Sequence, residues 1–246
     1  MNKDEKLPFK MSLSDPISLW RAETFWLKEP ETIEWLKFFG NTENLQGIVL
    51  VDVGANIGIY TLYWCSLNWN LRAIAIEPFD ENYKLLVSNL NMNDFTDRVK
   101  FFKQPLSSQK KYGIYDISDK RPGSSSFKFN SGGGIQDLGN SKFIESSTLD
   151  ILLTKEVGQK ILKIDVDGND FDILQGAEDS LTNKDVVSVL IESPEVQQHE
   201  IENFLIRFGF KSDYRFNNLT NHSDFRRKAN NKLERNRIYT KSDLIN

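Results

Sequence analysis

The stretch that decides the fold is Val49-Leu50-Val51-Asp52-Val53-Gly54-Ala55-Asn56-Ile57-Gly58, followed by Ile59-Tyr60-Thr61-Leu62-Tyr63-Trp64. A short run of apolar and β-branched residues predicts a buried parallel strand. It ends in an acid and a glycine-bearing turn, and the residues after Gly58 predict the opening of a helix. A strand, a glycine turn and a helix bring backbone N–H groups and a positive helix end to the carboxyl edge of a sheet, where open α/β folds bind ligands. Arg72-Ala73-Ile74-Ala75-Ile76-Glu77-Pro78 predicts a second such strand, and Glu77 stands 25 residues after Asp52. A carboxylate in that place accepts hydrogen bonds from both hydroxyls of a ribose.

Two phosphate-binding readings fail on these residues. The dinucleotide fingerprint needs three glycines, and here only Gly54 and Gly58 are in place. A Walker loop needs Gly-Lys-Ser/Thr, which is absent. Asp52-x-Gly54-x-Asn56-x-Gly58 instead resembles motif I of the class I S-adenosylmethionine (SAM) methyltransferases. SAM carries no phosphate, and its ammonium and carboxylate suit an acid beside exposed amides.

Composition bounds the rest. The chain has 246 residues, 39% of them hydrophobic and 27% charged, which suits one α/β domain with modest extensions. The net charge of -4 gives no global nucleic-acid signal. A single cysteine, Cys65, excludes an intramolecular disulfide framework and a cysteine-rich zinc site. No apolar run approaches membrane-spanning length, and the first residues lack the apolar core of a signal peptide, so a cytoplasmic protein is the expectation.

Along the chain, Asp15-Pro16 predicts a helix start, and two short helices through Phe39 are expected to roof the cofactor pocket. Residues 1–45 are read as this helical extension and 46–246 as the main domain. Further helices are predicted at 81–91 with Asp80 as cap, from Thr148, over Asn169 to Ser180, and from Pro194 to about Phe208. Strands are predicted at 98–103, from Gln159 running into a turn at Gly168, and at 186–192. A last antiparallel pair is expected at Phe210–Phe216 and Arg237–Tyr239. Residues 105–147 are an irregular insertion, with short strands at Tyr112–Ile117 and Ser126–Phe129 and flexible stretches around Gly123-Ser124-Ser125-Ser126 and Ser131-Gly132-Gly133-Gly134. Pro105 and Leu106 fall at the sheet edge where an adenine would lie.

With these residues in view the chain resembles the FkbM family of SAM-dependent methyltransferases. Val51-Asp52-Val53-Gly54-Ala55-Asn56-Ile57-Gly58-Ile59-Tyr60-Thr61 is similar to the family's opening motif. Glu77-Pro78-Phe79-Asp80-Glu81-Asn82, Ser147-Thr148-Leu149-Asp150 and Lys163-Ile164-Asp165-Val166-Asp167-Gly168 are similar to its later segments, in the same order. The resemblance implies a Rossmann-like, mostly parallel seven-stranded sheet with an antiparallel last strand pair and helices on both faces. It implies SAM as cofactor, held by Asp52, Gly54, Ala55, Asn56, Gly58, Tyr60, Thr61, Glu77, Pro78 and Asp165, and O-methylation of a sugar, glycan or small metabolite. The departures lie on the acceptor side. Asp167 stands for the family's Glu, Asn169-Asp170 for its Ala-Glu, and Glu192 is followed by Ser193-Pro194 rather than an early His.

A hydroxyl needs a base to take its proton. The strand ending at Asp165 makes that residue the first choice, with Lys163, Asp167 and Glu192 as alternatives. Alternation puts Lys163, Asp165 and Asp167 on one side of the strand. A lysine there can neutralise the acids and weaken them as bases. A divalent metal on Asp165, Asp167 and Asn169 is a further alternative, although the spacing fails the EF-hand pattern. His199 is expected on an exposed helix face, and His222 is expected at the surface, near the last strands. From Asn221 to Lys241 seven basic residues stand against two acids. They fit either an acidic acceptor or a solvated basic edge. Three other readings stay open: a nucleotide-dependent oxidoreductase, an RNA-directed methyltransferase or nucleic-acid module, and a SAM-binding protein without activity.

Overall fold

The structure is a computed structural model that describes residues 6–42, 45, 47–117, 123, 127–130, 142–166, 168–183, 185–219 and 234–244. Seven strands form the main sheet. They are β1 (Val49–Val53), β2 (Arg72–Ile76), β3 (Val99–Phe102), β7 (Lys160–Ile164), β8 (Val186–Pro194), β9 (Phe210–Ser212) and β10 (Glu234–Lys241), in the spatial order β3-β2-β1-β7-β8-β10-β9. Every pairing from β3 to β8 is parallel, and β10 is antiparallel to both of its neighbours. The order reverses between β1 and β7, so their carboxyl ends open a crevice.

The strands are apolar on both faces because helices cover both. On one side Leu50, Ala73 and Ile161 join a core with residues of α1 (Pro16–Lys28), α2 (Pro30–Gly40), α3 (Ile59–Leu67) and α4 (Asp80–Asn91). On the other, Val51, Val53, Ile74 and Leu162 meet α5 (Leu149–Leu153), α6 (Asp170–Gln175), α7 (Glu178–Thr182) and α8 (Gln198–Ile206). Asp52 therefore points to the α3 side, one residue out of phase with Val51 and Val53.

The amino-terminal pair of helices forms as its sequence predicts. Asp15 Oδ1 accepts the N–H groups of Ile17 and Ser18, both at 2.9 Å, and Pro16 supplies the first turn. Phe25 then packs edge-on against Tyr63, at 5.3 Å between ring centroids. Trp35 of α2 is fully buried and donates to Ser188 Oγ of β8 at 2.9 Å.

Several boundaries differ from the sequence expectation. The helix expected from Asn169 to Ser180 is two helices, broken at Gly176 and Ala177. A side chain at Gly176 would meet the Ser107 carbonyl at 2.5 Å, so the turn is set by that close approach. Asp80 is the first residue of α4 rather than its cap; Phe79 holds the cap position and Asp80 pairs with Lys103. The strand starting at Phe210 ends at Ser212, because Asp213 accepts the N–H of Arg215 and starts α9 (Tyr214–Asn217). Pro194 is both the last residue of β8, paired with Glu234, and the cap of a 3-10 turn, Glu195–Gln197, that runs into α8. Inside the insertion, β4 (Tyr112–Ile117), β5 (Phe127–Asn130) and β6 (Lys142–Glu145) make a separate antiparallel sheet, ordered β5-β4-β6. Its third strand was not expected. Most of the basic stretch after Asn221, with His222, and the stretches at 124–126 and 131–134 lie outside the described residues.

Candidate active site

The turn after β1 is built on left-handed backbone. Gly54, Asn56 and Gly58 have φ of +78°, +54° and +88°. Gly54 and Ala55 both donate their N–H groups to the Ile76 carbonyl at 3.0 Å, which ties the turn to the end of β2. A β-carbon on Gly54 would overlap the Asp165 carbonyl, and one on Gly58 would meet Leu86 at 2.5 Å. Glycine is thus required twice for close approach, and the first of these contacts brings Asp165 over the turn.

Glu77 stands at the end of β2, 5% exposed. Its Oε2 accepts the Asn56 N–H at 2.8 Å and its Oε1 the Phe79 N–H at 2.9 Å. Burial pushes its carboxyl up to about 7, against the lowering effect of these bonds, of Asn82 and of Arg21. Each oxygen keeps lone-pair capacity for a hydroxyl.

Asp52 is fully buried beneath the turn rather than exposed to it. Its Oδ2 accepts from Thr61 Oγ1 at 2.7 Å, and Lys163 Nζ lies 3.6 Å from its Oδ1. Lys163 also donates to Asp165 Oδ2 at 3.1 Å. Burial alone would lower the Lys163 ammonium, but Asp165, Asp52 and Glu29 together raise it above the ordinary lysine value. Lys163 is therefore a fixed cation and not a base. Asp165 is the opening of this line to solvent, with 23% of its side chain exposed. Burial would raise its carboxyl, yet the Lys163 ammonium and a hydrogen bond with Glu192 outweigh that and lower it to about 2.

Tyr60 closes the other side. Its hydroxyl donates to Glu29 Oε2 at 2.7 Å, and Lys163 Nζ stands 5.0 Å from its ring centroid. Burial, then Glu29, raise the phenol well above its usual value, so it remains a donor. Glu29 also accepts from Lys28 and, at 3.2 Å, from Asn236 Nδ2 of β10, the register partner of Glu192. Asn236 is buried, and its Oδ1 has no hydrogen-bond partner.

Pro78 is half-buried beside Glu77, while Pro105 and Leu106 are buried and tied to Ser147. The metal alternative on Asp165, Asp167 and Asn169 meets a committed Asp165. Among the described residues no trio of His, Cys, Asp or Glu is arranged to hold a metal ion. Asp167 lies outside the described residues. His199 is exposed.

Sequence reasoning did not single out Glu29, Arg21 or Asn236, and it named Asn82 and Asp170 only as members of motif segments. Asp170 accepts the N–H groups of Val166 at 2.9 Å and Gly168 at 3.0 Å, which closes the turn carrying Asp165. An acid at the start of a helix after a strand end was the available signal for it. Glu29, Arg21 and Asn236 come from segments distant in the chain. A groove of about 1100 Å³ lies at the opposite, amino edges of β1 to β3, lined in part by Arg72, Arg98 and Lys155, away from Glu77 and Asp165.

The model of the methyltransferase FkbM domain matches residues 52–212. The chain belongs to the FkbM methyltransferase family. A search of curated proteins returns no match. Among solved structures, the METTL16 methyltransferase domain is similar at a TM-score of 0.50 and 13% identity, over 96% of this chain and 74% of that one. TrmK of M. capricolum, in complex with S-adenosylhomocysteine, is similar at 0.48 and 10%, over 85% and 67%. The putative RNA methyltransferase PH1948 from Pyrococcus horikoshii is similar at 0.44 and 16%, over 86% and 84%. The fold is the Rossmann-like fold of class I methyltransferases, and this FkbM protein is a SAM-dependent methyltransferase. Its residues fit that cofactor: Glu77 is a buried carboxylate with capacity for two ribose hydroxyls, and the glycine turn offers close backbone approach. No helix among the described residues is long and apolar enough to cross a membrane.

Proposed function

We propose that this FkbM protein methylates a hydroxyl of a sugar, glycan or small metabolite, with Asp165 and Glu192 acting as a pair on the acceptor. The observation that carries the reading is Asp165 at the open end of the Lys163 line, 3.1 Å from that ammonium and 23% exposed, with Glu192 hydrogen-bonded to it. Two carboxyl groups that share a hydrogen bond share one proton. Lys163 holds Asp165 ionised, so the shared proton resides on Glu192, and Asp165 is the carboxylate left to accept the hydrogen bond of the acceptor hydroxyl. Asp165 takes the proton as the oxygen is methylated, and the hydrogen bond from Glu192 holds it in place. SAM supplies an electrophilic methyl on a sulfonium. Gly54, Ala55, Asn56 and Glu77 would hold the cofactor, with Asp52 and Thr61 supporting the turn from below and Pro105 and Leu106 on the adenine side. When the acceptor oxygen gains the methyl and the sulfonium loses it, the hydroxyl proton passes to Asp165.

One similar solved structure is described as a putative RNA methyltransferase, but at 16% identity that likeness is one of fold. The chain also lacks the Asn/Asp-Pro-Pro-Tyr/Phe signature of amino-directed nucleic-acid methyltransferases. The test is a panel of hydroxylated acceptors, amines and RNA, assayed for transfer of labelled methyl. The reading expects transfer to a hydroxyl, with Asp165→Asn lowering kcat by about a hundredfold. Transfer confined to amines or RNA overturns it, as does an Asp165→Asn enzyme of full activity.

A further inference from the structure

Arg21 sits on α1, outside the segment that defines the family, and it reaches the insertion. Its Nε and Nη2 both donate to the Gly123 carbonyl, at 3.0 and 2.8 Å. Gly123 is buried, with φ of +77°, and a β-carbon there would come 3.0 Å from Ile17 Cγ2. The first turn of α1 is therefore seated directly on this glycine. On its other side, the Gly123 N–H donates to Asn82 Oδ1 at 2.7 Å. Asn82 is buried on α4 and hydrogen-bonds Glu77.

The direction of this chain of bonds matters. An amide has one accepting end and one donating end. With Gly123 donating to its oxygen, Asn82 must turn its NH2 toward the Glu77 carboxylate. Without that N–H the amide could reverse and set an oxygen against the carboxylate. Glu77 is thus oriented from three sides, by the Asn56 N–H, the Phe79 N–H and Asn82, and the third side depends on Gly123. The Arg21 guanidinium also lies close enough to favour the ionised form of Glu77.

We propose that Arg21 is a positioning residue for the ribose of the cofactor, acting through Gly123 and Asn82 on Glu77. Arg21 touches neither the sulfonium nor the acceptor. It clamps the carbonyl of Gly123, whose N–H fixes the Asn82 amide, and that amide holds the carboxylate facing the two ribose hydroxyls. The first helix of the chain thereby becomes part of the cofactor site.

The test is calorimetric titration of S-adenosylhomocysteine into the full chain between pH 5.5 and 8.5. It uses the wild type, Arg21→Ala, Arg21→Lys, Glu77→Gln and the Arg21→Ala/Glu77→Gln double variant. Arg21→Ala is expected to weaken binding about tenfold, and in the Glu77→Gln background by less than about twofold, because no carboxylate is left to orient. The pH of half-maximal affinity is expected to rise in Arg21→Ala. Arg21→Lys, which keeps the charge and loses the two-pronged clamp, is expected between the two. An equal loss in both backgrounds would assign Arg21 a general structural role and overturn the proposal. So would unchanged affinity with an unchanged pH midpoint. If Glu77→Gln binds too weakly to titrate, the midpoint and the Arg21→Lys affinity decide. If Arg21→Ala does not fold, Arg21→Lys alone decides, and wild-type affinity in it overturns the proposal. Wild-type binding of S-adenosylhomocysteine in the same series separates a failure of this inference from a failure of the cofactor itself.

Discussion

Lys163 and Asp52 are register partners on β7 and β1, 3.6 Å apart, and each side chain is only 1% exposed. The acid of the family's opening motif is thus half of a buried ion pair that continues to Asp165. Removing the cation leaves two carboxylates unneutralised in a low-dielectric setting. Lys163→Met is expected to destabilise the chain by about 3–5 kcal/mol. Adding Asp52→Asn is expected to recover part of that loss. Urea denaturation of both variants measures it, and a Lys163→Met protein as stable as wild type would refute the role.

Gly54→Ala tests the contact between the turn and Asp165. The substitution forces a β-carbon into the Asp165 carbonyl while φ stays at +78°. The expected cost exceeds about 2 kcal/mol. S-adenosylhomocysteine binding should vanish, because Asp165 and the turn can no longer share the crevice. Thermal melting with and without the ligand reads both effects.

The pH dependence of stability follows from two raised carboxyls. Glu77 and Asp170 are each pushed up to about 7 by burial, above the ordinary carboxylate range. The folded state then binds more protons than the unfolded chain between about pH 4 and 7. The stability these groups confer is full below that window and falls as pH rises through it. Asp165 has the opposite sign, and its contribution is lost only as pH falls from about 4 toward 2. The ligand-free protein is expected to lose a few kcal/mol, roughly, from pH 5 to pH 7.5. Glu77→Gln should flatten part of the slope. A melting temperature that rises across this range would contradict the assignment.

Asp150, in the Thr-Leu-Asp segment, accepts the N–H groups of Asp179 and Ser180 at 2.9 and 2.8 Å and the Ser180 hydroxyl at 2.6 Å. Thr148 in the same segment accepts the Ile151 N–H at 3.2 Å and caps α5. The segment therefore caps two helices. Asp150→Ala is expected to cost about 1–2 kcal/mol and to leave S-adenosylhomocysteine affinity within twofold. A large loss of affinity at unchanged stability would mean that the segment contacts the ligand.

What the sequence made readable was local. The strand–turn–helix at Val49–Trp64 and the strand ending at Glu77 carry their geometry in adjacent residues, and so does the Lys163–Gly168 turn. Even the pairing of Lys163 with an acid follows from alternation along one strand. The breaks were less readable because distant atoms cause them: Gly176 interrupts a helix on account of Ser107, 69 positions earlier. The same holds for the acceptor side. Glu29 joins Tyr60, 31 positions away, and Asn236, 207 positions away. No spacing rule links them, since a buried carboxylate and a solvated one read alike in a sequence. In β6 the signal was diluted by the glycine-rich stretch before it.

Helix α1 is anchored at both ends of the crevice, through Arg21 at Gly123 and through the adjoining Glu29 at Tyr60. The boundaries by which relatives are recognised and the boundaries of the working machine therefore do not coincide. A chimera that transplanted only residues 52–212 into another member of the family would inherit the cofactor motifs without the parts that hold them in tune. It would also strip β8 of its neighbour β10 and of Trp35. Exchanging acceptor preference between such relatives calls for moving the first two helices and the last strand together with the motif-bearing segment, as one inheritable block.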